Sequence, residues 1–116
     1  MRTLVFLALL LSALPLWANS LICKEKFEGK INTFEFEVFS GGTETSGKVV
    51  LDGEIIWINQ APVSQGYEPN ITFDTPGDTY VLTFNNDMFN NPRTFYSQKI
   101  TSYFGDERTI RCMMNN

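Results

Sequence analysis

From Leu21 onward, apolar residues recur at nearly every second position, and residues that favour turns interrupt them at short intervals. A period of two puts alternate side chains on opposite faces of an extended chain, so the pattern demands many short strands and requires no helix. The alternation predicts β1 over Leu21–Phe27, β2 over Thr33–Phe39, β3 over Lys48–Leu51 and β4 over Glu54–Asn59. It continues with β5 over Asn70–Asp74, β6 over Thr79–Asn85, β7 over Thr94–Phe104 and β8 over Arg108–Met114. In β2, Phe34, Phe36 and Val38 fall on a core face and Glu35 and Glu37 on a water face, and Tyr80, Leu82 and Phe84 give β6 the same single dry side.

Three connections carry specific turn chemistry. Asp52-Gly53 suits a two-residue type I′ hairpin, because both residues tolerate positive φ. Thr75-Pro76-Gly77-Asp78 has the composition of a type II turn, with Pro presetting φ and Gly supplying a positive one. Gly105-Asp106-Glu107 reads as a three-residue loop that sets Phe104 opposite Arg108 and Ile100 opposite Cys112, with Phe104, Ile100, Ile110 and Cys112 all inward. The longer links are 29–32, 40–47, 61–69 and 86–93, and Pro62, Pro69 and Pro92 are expected to keep the last two from continuing as strand.

Residues 1–20 have the three-part layout of an export signal: Arg2, an apolar run from Leu4 to Leu11, and small residues at Ala18 and Ser20. Cleavage is expected after Ser20, with Ala18 as the alternative, leaving a single domain over residues 21–116 in the periplasm or outside the cell. Ile22 before Cys23 argues against a lipid-anchored cysteine, and the apolar run is about half of what a spanning helix needs. An oxidising compartment pairs the chain's two cysteines, Cys23 and Cys112. Their Cα atoms must then approach to within about 7 Å, which brings the first and last strands side by side.

The expected fold is therefore an all-β, small antiparallel up-and-down barrel of about eight strands, with a two-sheet β-sandwich as the alternative. A barrel spanning an outer membrane does not fit, since most strands fall short of about nine residues and carry Glu or Lys on the outer face.

Chemistry is sparse. There is no histidine, and pairing consumes both thiols, so the familiar bases, zinc ligands and nucleophiles are missing and an enzyme is not expected. Glu35 and Glu37 are the neatest carboxylate pair for glycoside hydrolysis, but their strand context is a solvated face. Asp74, Asp78, Asp106 and Glu107 read as turn formers. Asn85-Asn86-Asp87 with Asn90-Asn91 lacks the spaced acids of a calcium loop, so no metal or other cofactor is expected. Asn70-Ile71-Thr72 matches the short glycosylation pattern without further support. A net charge of -4, becoming -5 without Arg2, offers no basic stripe for nucleic acid. Glu25 shares the inward face of Cys23 and Phe27, so it needs a cationic partner, a raised pKa or a place at a bulge or barrel mouth.

The hairpin of β3 and β4 is apolar on both faces. Val49, Ile56 and Ile58 take one side and Val50, Ile55 and Trp57 the other, while a single-layer barrel can bury only one. The second face is a candidate partner-binding patch with Tyr67, or else a satellite core covered by 61–69. The layout, with a cysteine at each end of about eight short strands, resembles the periplasmic C-type lysozyme inhibitors. Ser64-Gln65-Gly66-Tyr67 departs from the spacing of that family's Ser-Gly and Tyr loop, so no inhibitory residue carries over. The leading expectation is a binding or inhibitor-type module of the cell envelope, monomeric and acting through protein contacts. The alternative is a carrier whose small apolar cavity is lined by Phe34, Phe36, Tyr80, Phe84 and Phe104.

Overall fold

The computed structural model describes residues 19–38, 41–66 and 68–115. Most of the proposed signal, Phe39 at the predicted end of β2, and Tyr67 lie outside the described residues.

Eight strands close into one antiparallel barrel in the order of the chain, β1 through β8, with β8 returning to β1. They are β1 Asn19–Phe27, β2 Lys30–Val38, β3 Glu44–Leu51, β4 Glu54–Ser64, β5 Asn70–Asp74, β6 Thr79–Thr83, β7 Tyr96–Ser102 and β8 Glu107–Asn115. One helical turn, α1 Asp87–Asn90, fills part of the asparagine-rich link, where no helix was expected, and seats Met88 in the core. Closure rather than a sandwich follows from the β1–β8 ladder, in which Cys23 stands directly opposite Cys112 and is bonded to it. Leu21 opposite Met114 continues that seam, and all four side chains are fully buried.

The barrel axis is filled. Phe34 and Phe36 lie 6.1 and 5.1 Å from Phe73, ring centre to ring centre, and Phe73 stacks on Tyr80 at 5.6 Å. Ile71, Leu82, Ile100 and Ile110 complete the packing from the second half of the barrel.

Several sequence expectations need correction. The link predicted at 29–32 is a two-residue turn at Glu28-Gly29, with φ of 52° and 79°, so β2 starts at Lys30. This is the same type I′ geometry that Asp52-Gly53 adopts at 54° and 80°; a glutamate in the first left-handed position concealed it. Gly77 is not in the left-handed region, so Thr75–Asp78 is not a type II turn. Instead the Thr75 and Asp78 backbones bond reciprocally, and the Asp78 N–H also donates to Thr75 Oγ1.

Phe104 is not a core residue. The β7–β8 loop has the expected three residues but is Tyr103-Phe104-Gly105, with Ser102 N–H donating to Asp106 O and Gly105 at φ 97°. The left-handed residue belongs at the third loop position, where only glycine is comfortable, and that requirement moves the loop two residues back. Ile100 therefore pairs with Arg108 and Cys112 with Tyr96. The displacement is even, so Ile100, Ile110 and Cys112 keep their inward face while Tyr103 and Phe104 stand 80% exposed at the tip. Phe27, also placed on the core face, sits at the mouth, half-exposed beneath the Arg108 guanidinium at 4.7 Å.

β4 runs on through Pro62 to Ser64, leaving no long link at 61–69. Opposite Ser46 it inserts an extra residue, a bulge with Gln60 at φ 52°. Beyond it, Val63 N–H donates to Thr43 O at 2.9 Å, so the Pro62–Glu44 pair is one whose own N–H groups point away from each other. The missing Pro62 N–H thus faces β5, whose ladder with β4 reaches only Val63, and no bond is lost.

Candidate functional site

The hairpin of β3 and β4 presents its second apolar side to solvent. Leu51 pairs with Glu54, Val49 with Ile56 and Gly47 with Ile58, as the two-residue turn dictates, so Val49 and Ile58 enter the core. Val50, Ile55 and Trp57 emerge on the other side, with Val50 half-buried, Ile55 56% exposed and Trp57 75% exposed. The predicted patch is therefore together in space for these three. Residues 61–64, expected to form part of a covering loop, are strand.

Cross-strand pairing extends the outward row from Trp57 through Lys48 to Glu35 and Ile22. The Lys48 ammonium lies 6.0 Å from the centre of the Trp57 ring. Beside this row stand Ser20, Glu37, Ser46 and Asn59, where Ser46 Oγ donates to Asn59 Oδ1 at 3.4 Å. Together they line a groove of about 580 Å3 on the outside of the barrel. Gly47 lies in its floor, where an added Cβ would meet the Glu35 carbonyl oxygen at 2.0 Å and the Phe36 ring at 2.6 Å. Only glycine lets β2 and β3 approach so closely.

Glu35 and Glu37 share this groove, but they rise from the same wall on one strand face. Sequence alternation placed both in water and missed the groove they share with Trp57, which follows from the β2–β3 and β3–β4 registers. Among the described residues there is no group of three or more metal-ligating side chains.

The second polar site is internal. Glu25, 6% exposed, accepts from Arg108 Nε and, at 3.1 Å, from Arg108 Nη2. Asn32 Nδ2 donates to the same carboxylate at 3.0 Å, while Asn32 Oδ1 accepts from the Asp52 backbone N–H. The hydrogen bonds to Glu25, supplemented by its charge, hold the Arg108 guanidinium above its ordinary pKa against the opposing cost of burial. The carboxylate that the sequence left in need of a cation has one, and the network ties β1, β2 and β8 together below the mouth.

The open edge of β4 has no local signal in the residues that form it. β4 and β5 share only the pairs Val63–Ile71 and Ser64–Asn70. Between the diverging strands runs a cleft lined by Trp57, Asn59, Pro62, Thr72 and Asp74.

The chain matches no family model, no curated protein and no solved structure.

Proposed function

We propose that this small disulfide-bonded barrel is a non-catalytic binding module of the cell envelope that works through protein contacts at Val50, Ile55 and Trp57. The observation that carries the reading is the exposure of Ile55 and Trp57 side by side on a hairpin whose opposite face is anchored in the core. Solvent-facing clusters of large apolar side chains on a small monomeric domain mark contact surfaces. Tryptophan is the residue type most enriched among those that dominate binding energy. The disulfide is compatible with an exported, oxidising location.

The apolar-carrier alternative needs interior space. Of the side chains that would line it, Phe34, Phe36 and Tyr80 instead pack around Phe73, Phe84 lies against Phe89, and Phe104 is exposed.

Quantitative co-purification from native envelope tests the reading with three forms of the exported chain. The wild type and Tyr103→Ser should retain the same partner, and Trp57→Ala should lose it by tenfold or more. Capture indifferent to Trp57, or lost equally with Tyr103→Ser, would sink the proposal.

A further inference from the structure

The two-residue turn at Asp52-Gly53 makes Leu51–Glu54 a pair that exchanges both of its hydrogen bonds, and in an antiparallel ladder such pairs alternate. Val49–Ile56 and Gly47–Ile58 are therefore bonded pairs, whereas the N–H and C=O groups of Ile55 and Trp57 point away from β3. They point toward the side on which β5 would lie. β5 joins β4 only at Val63 and Ser64, so among the described residues no strand meets β4 beside Ile55 or Trp57.

An edge of this kind templates further strand addition, and folded proteins ordinarily blunt it with charge, proline or a bulge. β4 carries three such devices, but Glu54 sits at its start and the Gln60 bulge and Pro62 toward its far end. The stretch Ile55-Ile56-Trp57-Ile58-Asn59 bears no charge, and its first four residues are β-branched or aromatic. That is a sequence that pairs readily when left open. Protection of both ends with an unblunted middle has the form of a strand-acceptor site of limited length.

Charge identifies the occupant. The carboxylates of Glu54 at the start of β4, Asp74 across the cleft, and Glu35 and Glu37 in the adjoining groove outnumber the Lys48 ammonium. A second copy of this chain, itself at -4, would bring the same carboxylates together. We propose that the open edge of β4 from Ile55 to Asn59 accepts an extended, basic segment of a partner polypeptide as an added strand. The inference rests on the binding-module reading and names the kind of partner and its mode of docking. Backbone bonds would supply the pairing, and Ile55 and Trp57 would flank alternate side chains of the guest.

Amide hydrogen exchange, read residue by residue on the exported chain, tests this. The probes are the peptide Lys-Val-Thr-Val-Lys-Val-Thr-Val-Lys and its counterpart with Glu at every Lys. The expected result is slowing of about tenfold or more at the Ile55 and Trp57 amides with the lysine peptide alone, while Ile56 and Ile58, already bonded to β3, are slow throughout. Ile55→Pro removes an edge-facing donor without touching the β3 ladder, so it should leave Ile56 and Ile58 protected and abolish the slowing at Trp57. Three results would overturn the inference: no slowing with either peptide, equal slowing with both, or slowing without peptide that grows with protein concentration, which would mean a second copy. If Trp57→Ala loses its envelope partner while the wild type's partner leaves the two edge amides exchanging freely, the binding-module reading survives and strand addition fails.

Discussion

Glu25 and Gly47 show how single residues set limits on this fold. Glu25 is buried against a guanidinium that keeps some water contact, with Arg108 22% exposed, so removing the carboxylate strands a charge in a partly dry site. Breaking a buried pair from one side costs about 3 to 5 kcal/mol, and residual solvation of Arg108 places Glu25→Ala near or just below the lower figure. Glu25→Leu combined with Arg108→Leu should be milder than either single change, since no unpaired charge remains; urea unfolding of the three variants checks the order. At Gly47 the obstruction is backbone, the Glu35 carbonyl, and cannot swing aside. Gly47→Ala should therefore cost at least about 2 kcal/mol, the upper part of the range for overpacking, and distort the groove beneath Trp57. Alternation was enough to put Glu25 inward, but not to find Arg108, because partners that far apart in sequence meet only after the barrel closes.

Elements were legible where local chemistry alone decides them. All eight strands follow from the period-two pattern, β5 to its exact bounds, and Asp52-Gly53 fixed the β3–β4 register. Features set by position or by a neighbour were not legible. Whether Gly105 opens or closes its loop depends on which residue must be left-handed, and whether Pro62 breaks β4 depends on which side its absent donor would face. The β7–β8 loop gives a sharp test, because a core Phe104 would cost about 3 to 5 kcal/mol on truncation, whereas the exposed tip residue found here should change stability by less than about 0.5 kcal/mol as Phe104→Ser. Strand β1 bears on processing. It begins at Asn19, and Ser20 pairs with both Glu37 and Asn115. Cleavage after Ala18 would spare these pairs and cleavage after Ser20 would remove them, so N-terminal sequencing of the exported form is expected to start at Asn19.

At the scale of the whole molecule, a thin core is helped by one long-range covalent tie. Cys23 and Cys112 are 89 residues apart, and on the polymer model closing a loop of that order is worth about 4 to 5 kcal/mol, close to the entire stability of a small domain. Replacing both with Ala should lower the urea midpoint by a corresponding margin, and the wild type should show the same fall under reductant; an unchanged midpoint in both would mean that the barrel closes without its staple. In a ring of eight strands the seam between the first and the last lies diametrically across from the one between the fourth and the fifth. The molecule thus has a permanent clasp on one side and, opposite it, a seam fastened by two residue pairs. The weak seam could part to admit a guest without the barrel coming undone, because the clasp would still hold the sheet as one curled ribbon.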